Sequence, residues 1–234
     1  VRSQTLFRCR FYLCDVCDLI FGISLAFSAS FRERLKKASD RDLGRLWTVV
    51  ALDTSMVFEG HRSVSRVRIL LLAKYGRMGA STRLRSLQYL PAFQRAGVEV
   101  VTQSLLSDAA LLSRYQQGFY RVTTVLKAYS ERTLALLGRR NFSLLWIEKE
   151  SLPWWPLWIE RLLLRGVPYV LDYDDADFHY YDEHRWEWVR QIFGRRLDGL
   201  MAEAALVIAG NDYLARRARD AGARWVEVVP TVID

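Results

Sequence analysis

Short apolar runs alternate with longer amphipathic stretches from about residue 66 onward. Apolar runs of this length, bounded by glycine, proline and other turn residues, are typical of strands buried in a parallel sheet. Six such runs lie at 67–73, 98–102, 144–148, 169–172, 206–209 and 225–229. Because a stretch with helical spacing separates each run from the next, the pattern predicts an α/β, Rossmann-like fold. We expect a doubly wound parallel sheet of about six strands with right-handed crossovers.

The first predicted helix follows a glycine-containing turn at 76–80. Ser81 or Thr82 is expected to cap this helix and Gly97 to end it. Pro91 lies inside the stretch and predicts a kink or an early end, because proline removes a backbone donor. The other predicted helices lie at 108–140 with a break at Gly118, at 154–165, at 182–204, and between Asn211 as cap and Gly222 as end.

Residues 1–65 do not share this alternation and are expected to form a leader of uncertain structure. Their apolar run at 19–27 is too short to span a bilayer, and two aspartates interrupt the place where a signal peptide would begin its apolar core. The first methionine, Met56, shortly precedes the first predicted strand, so an over-extended translation with the true start near Met56 is an alternative. We therefore assign 66–234 to the Rossmann-like domain.

The chain carries a formal charge of +8 and a pI near 9.6, but its basic residues are interleaved with acids. Interleaved charge fits a solvated helix face, or mild attraction to an anionic surface, better than a nucleic-acid groove. The sequence has no zinc-finger spacing, RNP-type strand or basic region feeding heptads, so nucleic acid is not an expected partner. The three cysteines all lie within 9–17, which excludes a disulfide framework for the rest of the chain.

Three carboxylates, those of Asp172, Asp174 and Asp175, fall at the end of the fourth predicted strand. They are therefore expected at the carboxyl edge of the sheet, where open α/β folds bind their ligands. Carboxylates this close repel one another unless water, a cation or a hydrogen-bonding ligand relieves them, so the cluster indicates a site rather than packing. The alternative is a helix cap with solvated loop acids.

A second acidic strand end lies at Glu148 and Glu150. If the third strand continues through both, their side chains point the same way, toward the crevice used by Asp172 and Asp174. His179 follows the acids of the fourth strand and either lines the same cleft or is a plain surface histidine. The tryptophans after Glu150 pack in a helix, stack on a sugar ring or sit at a membrane interface.

The turn at 76–80 is the third candidate region. Gly76 and Gly79 let the chain pass close to a ligand, and the helix start offers free N–H groups for an anion or a sugar hydroxyl. Arg83 is expected beside that ligand, whereas Arg85 fits the solvent face about as well. Methionine stands where a dinucleotide-binding turn has its second glycine, and neither a P-loop nor a G-x-S-x-G elbow occurs, so the sequence argues against those classes.

Taken together, these features resemble the N-terminal domain of family-4 glycosyltransferases, which have the two-domain glycosyltransferase-B architecture. Besides the first strand and its turn, the matching segments are 81–85 (STRLR), 90–93 (LPAF), 96–100 (AGVEV), 172–176 (DYDDA), 210–215 (GNDYLA) and 229–234 (VPTVID). In that family the N-terminal half binds the acceptor and the C-terminal half binds the nucleotide-sugar. The last segment resembles the linker between the halves. The chain is therefore expected to stop before a donor-binding domain and to lack turnover alone.

The resemblance implies transfer of a sugar from a nucleotide-sugar, the co-substrate, to a glycan or lipid-linked acceptor of the cell-surface polysaccharide type, with no metal or other cofactor. It implies Glu148, Asp172 and Asp174 as catalytic residues, although many relatives have a histidine at the strand end. The substrate-binding residues it implies are Gly76, Gly79, Ser81, Thr82, Arg83, Glu150, Asp175, His179 and Asn211. The implied location is cytoplasmic, and the basic charge permits peripheral contact with the inner face of the membrane.

Two other functions stay open on the residues alone. The triplet 172–174 spells the D-x-D sequence with which glycosyltransferases of another architecture hold a divalent cation. Its place in the fourth strand of a regular parallel sheet favours the acceptor cleft over that metal site. Half of a glycosyltransferase could also persist as a sugar-binding or partner-docking module without catalysis.

Overall fold

The computed structural model of the protein describes residues 67–232. The chain divides into two units, Val1–Ser65 and Arg66–Asp234, and every described residue belongs to the second. The predicted leader, the alternative start at Met56 and the cysteines at 9–17 lie outside the described residues. Residues 233–234, which end the segment that resembles an interdomain linker, lie outside them as well.

The described residues form one parallel sheet, which confirms the prediction from the apolar runs. Its strands are β1 (Arg68–Tyr75), β2 (Glu99–Leu106), β3 (Leu144–Glu148), β4 (Tyr169–Tyr173), β5 (Leu206–Ala209) and β6 (Val226–Val228). Their order across the sheet is β2-β1-β3-β4-β5-β6. The chain therefore runs from β1 toward one edge and from β3 toward the other. This reversal creates a topological switch point between β1 and β3.

Helices connect the strands. They are α1 (Ala80–Arg85), α2 (Leu90–Arg95), α3 (Asp108–Gln117), α4 (Val122–Leu137), α5 (Leu157–Leu164), α6 (His179–Asp182), α7 (Glu187–Phe193), α8 (Arg196–Glu203) and α9 (Asp212–Asp220). Short 3-10 turns lie at Leu87–Tyr89 and Arg139–Asn141. Within 67–232, none of the helices combines the length and hydrophobicity that crossing a bilayer requires.

Several predicted helix boundaries are confirmed. Gly118 ends α3 with a φ of 80°, the left-handed conformation that glycine adopts without strain. Asn211 caps α9, because its side chain accepts a hydrogen bond from the N–H of Leu214. The first helix ends early, at Arg85, and Pro91 lies in the first turn of α2, where its missing N–H costs no hydrogen bond.

Two other helix predictions are wrong. The residue at the cap of α1 is Gly79, so neither Ser81 nor Thr82 caps this helix. The helix expected at 182–204 is interrupted and forms α6, α7 and α8. Gly194 lies between α7 and α8, where the low helix propensity of glycine favours a break.

One face of the sheet carries the main hydrophobic core. Alternate strand residues such as Leu145, Ile147 and Leu171 point to this face and are fully buried. The helices that cover it contribute Leu136 from α4, Leu163 and Leu164 from α5, Leu197, Leu200 and Met201 from α8, and Leu214, Ala215 and Ala218 from α9. Each buried leucine contributes about 1.5–3 kcal/mol, so this face supplies much of the folding free energy.

The opposite face is partly polar. Phe93 of α2 packs on Trp146 of β3, with ring centroids 5.6 Å apart. Strand alternation places Glu148 on the same side as Trp146, and Asp172 is its register partner across β3 and β4. Both acids are buried, at 1% and 2% exposure. Buried carboxyl groups need partners or a changed protonation state, so this face holds the polar chemistry of the domain.

Candidate functional site

The three predicted catalytic acids lie together at the switch point between β1 and β3. Glu148 ends β3, and its register partner Asp172 lies one residue before the end of β4. The carboxylates of Asp172 and Asp174 both act electrostatically on Glu148. Open α/β sheets bind ligands in the crevice at such a switch point. The geometry therefore places the acids where the sequence predicted a cleft.

Glu148 is the central group of the cluster. Its Oε2 accepts a hydrogen bond from the Thr82 hydroxyl over 2.7 Å and a longer one, 3.4 Å, from the backbone N–H of Lys74. Its Oε1 is buried and has no hydrogen-bond partner among residues 67–232. Burial raises the pKa of Glu148 to about 7, the Thr82 hydrogen bond opposes this increase, and the Asp172 carboxylate adds to it. Glu148 therefore changes protonation near neutral pH, as a general acid or base does.

Asp172 is paired with Arg85 of α1. The Nε and Nη2 atoms of Arg85 donate to Oδ1 of Asp172 over 2.8 and 2.5 Å. The third nitrogen, Nη1, donates to the carbonyl of Val229 at 2.9 Å and to the Thr231 hydroxyl at 3.1 Å. Burial raises the pKa of Asp172, and the guanidinium opposes that increase. Arg85 therefore ties an acidic strand end to the segment that follows β6.

The remaining acids surround Lys149. Its Nζ lies 3.1 Å from Asp174, 2.8 Å from Asp175 and 3.2 Å from Asp177. Burial disfavours the ammonium, but these carboxylates outweigh burial and raise the pKa of Lys149. Burial also disfavours the Asp174 carboxylate, yet the Ser81 hydroxyl and Lys149 lower its pKa overall. The ammonium of Lys149 thus relieves the repulsion between these carboxylates. The sequence alone predicted water, a cation or a ligand in that role.

Glu150 lies apart from Glu148. The strand ends at Glu148, and Lys149 takes a left-handed backbone conformation with a φ of 65°, so the alternation stops there. The prediction that both glutamates point the same way is therefore wrong. Glu150 instead forms a buried ion pair with Arg196 and accepts a hydrogen bond from the Tyr181 hydroxyl over 2.7 Å. Both partners belong to the side of the sheet that carries the main hydrophobic core.

The turn after β1 is held by Asp108. Its Oδ1 accepts a hydrogen bond from the N–H of Met78 over 2.9 Å, and a Cβ on Gly76 would lie 2.4 Å from that same oxygen. A Cβ on Gly79 would lie 2.8 Å from the Cβ of Tyr75. Gly79 is therefore required by a contact inside the protein, because the Cβ of Tyr75 is fixed by the backbone, whereas a side chain at Gly76 would only have to displace the Asp108 carboxylate.

Of the two arginines of α1, one is exposed to solvent and the other is buried in the site. Arg83, which was expected beside the ligand, is exposed and donates to the carbonyl of Arg77 over 3.0 Å. Arg85 is the buried one, with 6% exposure. Thr82 and Arg85 are three residues apart and so share one face of the helix. That face packs on the acids, so Arg83, which lies on another face of the helix, points away from them.

His179 and Asn211 have partners of their own. His179 Nδ1 lies 2.8 Å from Asp182 and 3.1 Å from Glu183, and its Nε2 lies 2.7 Å from the Tyr213 hydroxyl. The nitrogen and the two carboxylates lie within 4.8 Å of one another, close enough to ligate a metal ion, but hydrogen bonding alone accounts for this spacing. The side chain of Asn211 is engaged as a helix cap. Within 67–232, neither side chain forms a hydrogen bond with the strand-end acids.

The cluster offers one carboxyl that titrates near neutrality beside acids whose charges are already matched. Asp172 is matched by Arg85, and Asp174 by Lys149. A bound hydroxyl that donates to Oε1 of Glu148 would satisfy an otherwise unpartnered buried oxygen. The ammonium among the carboxylates occupies the place that a hard divalent cation would take, which argues against the D-x-D metal site.

Sequence reasoning missed Lys149 and Asp177 as parts of this cluster and left Arg85 undecided between the site and the solvent face. The three-residue spacing of Thr82 and Arg85 was a usable signal, because a helix that presents one inward also presents the other. Lys149 stands between two glutamates, and only the backbone turn at this residue shows that it faces the aspartates. Asp177 is 1% exposed and binds both Lys149 and Lys74.

Comparisons with known proteins add little to this geometry. No protein-family model matches the chain, and a search of curated proteins gives no match. Among solved structures, the chain is similar to a protein of Burkholderia pseudomallei described as pilus assembly-related. The identity is 17%, the alignment covers 73% of this chain and 100% of that one, and the TM-score is 0.28. At that TM-score the similarity carries no argument about function, so the function has to be inferred from the site.

Proposed function

We propose that this domain is the acceptor-binding half of a glycosyltransferase that moves a sugar from a nucleotide-sugar to a glycan or lipid-linked acceptor. The observation that carries the proposal is Oε1 of Glu148, a buried carboxyl oxygen with no hydrogen-bond partner in the described part of the chain. It belongs to the carboxyl that ends β3 beside the switch point, and the pKa of that carboxyl is about 7. Such a group is suited to receive the proton of an attacking hydroxyl.

The surrounding charges support a hydroxyl rather than an anion as the ligand of Glu148. Asp172 and Asp174 lie beside it, and their cationic partners Arg85 and Lys149 are already engaged in ion pairs. A phosphate or carboxylate at Oε1 would lie beside these acidic oxygens, whose cations are already paired. A neutral sugar hydroxyl donates its hydrogen and is then activated as the nucleophile. The donor phosphates are expected to be held by the partner domain of such an enzyme.

The resemblance of the sequence to family-4 glycosyltransferases supports the same conclusion from a separate direction. The segments that carry it include 81–85, which supplies Thr82 and Arg85, and 172–176, which supplies Asp172 and Asp174. The residues that meet at the switch point are therefore largely those of the matching segments. Glu148 and Lys149 lie outside these segments, so the catalytic role that the resemblance implies for Glu148 is supported mainly by the geometry of the cluster.

Two measurements test the proposal. The first is binding of defined oligosaccharides to this chain by saturation-transfer NMR, where we expect binding that weakens in Glu148→Ala. The second is release of nucleoside diphosphate from UDP- and GDP-sugars by the longest reading frame that contains this chain, in the presence of the oligosaccharides that bind. There Glu148→Gln is expected to lower kcat by about 10²–10⁴-fold, the usual contribution of a general base.

Glu131→Gln is the matched control, because Glu131 is exposed on α4 and its ion-pair partner within 67–232 is Lys127, one turn earlier on the same helix. Its rate should equal that of the wild type. Transfer that proceeds equally well in Glu148→Gln would refute the assigned role. Oligosaccharide binding without any transfer, unaffected by Glu148→Gln, would instead identify a non-catalytic sugar-binding module.

A further inference from the structure

A chain of aromatic rings lies at the surface formed by the loops after β3 and β4. Trp154, His184, Trp186 and Trp188 each contact the next ring, with centroids 5.8, 5.3 and 5.9 Å apart. We call these four residues the aromatic platform. Its tryptophans are 49%, 48% and 55% exposed. Contiguous apolar surface of this kind marks an interaction site more often than a scattered exposed residue does.

The aromatic platform is held in place by strained and stacked groups. Trp154 has a left-handed φ of 61°, and its N–H donates to the Tyr181 hydroxyl over 3.1 Å. A non-glycine residue in this conformation costs about 1–3 kcal/mol, and such strain clusters at functional sites. The guanidinium of Arg185 lies 4.6 Å above the ring of Trp186. The rings are therefore ordered before any ligand arrives, which lowers the entropic cost of binding.

The aromatic platform belongs to the same edge of the sheet as the acids. Trp154 lies on the loop between β3 and α5, which begins directly after Glu148. Trp186 and Trp188 lie at the start of α7, in the connection from β4 that also carries Asp174. Both connections leave the carboxyl edge of a parallel sheet. Tyr181 links these two connections, because its hydroxyl accepts a hydrogen bond from the backbone N–H of Trp154 and donates one to Glu150.

We propose that the aromatic platform binds the pyranose rings of an extended glycan acceptor whose reacting sugar reaches Glu148. This inference rests on the proposed function and adds the substrate class: an oligosaccharide rather than a single sugar. The C–H face of a pyranose is apolar and flat, so it stacks on the negative face of an indole while its hydroxyls stay at the rim. Exposed side chains at that rim, Glu183, Arg185 and Glu187, can accept from and donate to those hydroxyls.

The same rim argues against a membrane as the occupant. The charges of Glu183 and Glu187 are balanced by those of Arg185 and Arg190, so an anionic bilayer gains no net electrostatic attraction at this rim. His184 and Arg190 also connect within the loop, since Arg190 donates to the carbonyl of His184 over 2.6 Å. These polar groups would have to be desolvated in a bilayer, whereas a glycan leaves them hydrogen-bonded.

The test is a titration of the full chain with manno-, gluco- and N-acetylglucosamine oligosaccharides from mono- to hexasaccharide, followed by tryptophan fluorescence. Affinity is expected to rise with length. Trp186→Ala and Trp188→Ala should weaken the longer ligands by about tenfold, the value of one aromatic contact, and leave monosaccharide binding unchanged. Trp186→Phe should retain most of the affinity, because it keeps an aromatic face.

Trp158→Ala is the matched control: Trp158 is 66% exposed on α5 and makes no ring contact with any residue in 67–232. Its affinity should equal that of the wild type. If glycans bind and the Glu148→Ala variant weakens them while Trp186→Ala and Trp188→Ala do not, this inference is wrong and the proposed function stands. If only the tryptophan variants weaken binding, the aromatic platform is supported and the role of Glu148 is not. Sedimentation with phosphatidylglycerol vesicles that is lost in Trp188→Ala, without glycan binding, would show that the aromatic platform binds lipid and would overturn this inference.

Discussion

The hydroxyl of Thr82 donates to Oε2 of Glu148 over 2.7 Å, while the other oxygen of that carboxyl has no hydrogen-bond partner among the described residues. One oxygen of the group is thus fixed by the helix after β1, while the other is buried without a hydrogen bond within 67–232. In the same part of the chain, Asp174 and Asp177 also have one oxygen without a hydrogen bond, but each of those oxygens lies next to the ammonium of Lys149. Among the described acids of the cluster, Glu148 is therefore the one whose open oxygen is not matched by a cation.

Glu148 should make the domain less stable as the pH rises. Burial raises its pKa from an ordinary 4.5 to about 7, so the folded protein binds more protons than the unfolded chain between these values. The free energy of unfolding therefore falls with increasing pH across that window, by up to about 3 kcal/mol. Urea unfolding at pH 5 and pH 8 should show a flatter dependence for Glu148→Gln than for the wild type. Parallel curves for the two proteins would contradict the raised pKa.

Thr82→Val should raise the pKa of Glu148 further, because the hydrogen bond from Thr82 favours the ionised carboxylate. The side-chain ¹³C resonance of Glu148, followed through a pH titration, is expected to show a midpoint above that of the wild type. Thr82→Ser keeps the hydroxyl and serves as the control, with an unchanged midpoint. A midpoint that stays in place in Thr82→Val would show that the hydroxyl does not act on this carboxyl.

Arg85→Met should destabilise the domain severely. It leaves Asp172 buried without its cation, and breaking one partner of a buried pair costs about 3–5 kcal/mol. Arg83→Met is the control on the same helix, and its cost should stay within about 0.5 kcal/mol because Arg83 is exposed. The double variant Arg85→Met/Asp172→Leu should regain part of the loss, since no charge is then stranded. Equal unfolding midpoints for the two single variants would rule out the buried pair as a source of stability.

Lys149→Met should convert the aspartate cluster into a site for a divalent cation. Without the ammonium, Asp174, Asp175 and Asp177 repel one another, so the variant is expected to unfold at a lower temperature than the wild type at pH 7.5. Millimolar Ca²⁺ or Mn²⁺ should restore part of the loss, because carboxylate oxygens are the ligands these ions prefer. The wild type should show no comparable shift. Stoichiometric Mn²⁺ binding to the wild type, lost in Asp174→Ala, would revive the metal-dependent alternative.

The fold could be predicted from the sequence because each strand corresponds to a short apolar run bounded by turn residues. The apolar runs that became β3 and β4 are uninterrupted, and strands buried on both faces have no other pattern. Glu148 and Asp172 could be placed in one crevice for the same reason: parallel topology brings the ends of neighbouring strands together.

The partners of those acids could not be predicted, because they depend on geometry that no local pattern records. Whether Arg83 or Arg85 faces the sheet is decided by where α1 begins, and helix starts read from sequence are uncertain by a few residues. The separation of Glu148 from Glu150 depends on one backbone angle at Lys149. A positive φ is unusual for lysine. Here it is stabilised by the ion pairs of Lys149 with Asp174 and Asp177, which lie in the loop after β4.

Along β3 and β4, side chains alternate between the hydrophobic core on one face of the sheet and the polar cluster on the other. Leu145, Ile147 and Leu171 face the core, while Trp146, Glu148 and Asp172 on the same strands face α1 and α2. A residue of the second set can be exchanged without disturbing the apolar packing of the core, provided that its buried partner on the helix changes with it. Insertion of a single residue in either strand would instead swap the two sets and disrupt the core and the polar cluster together.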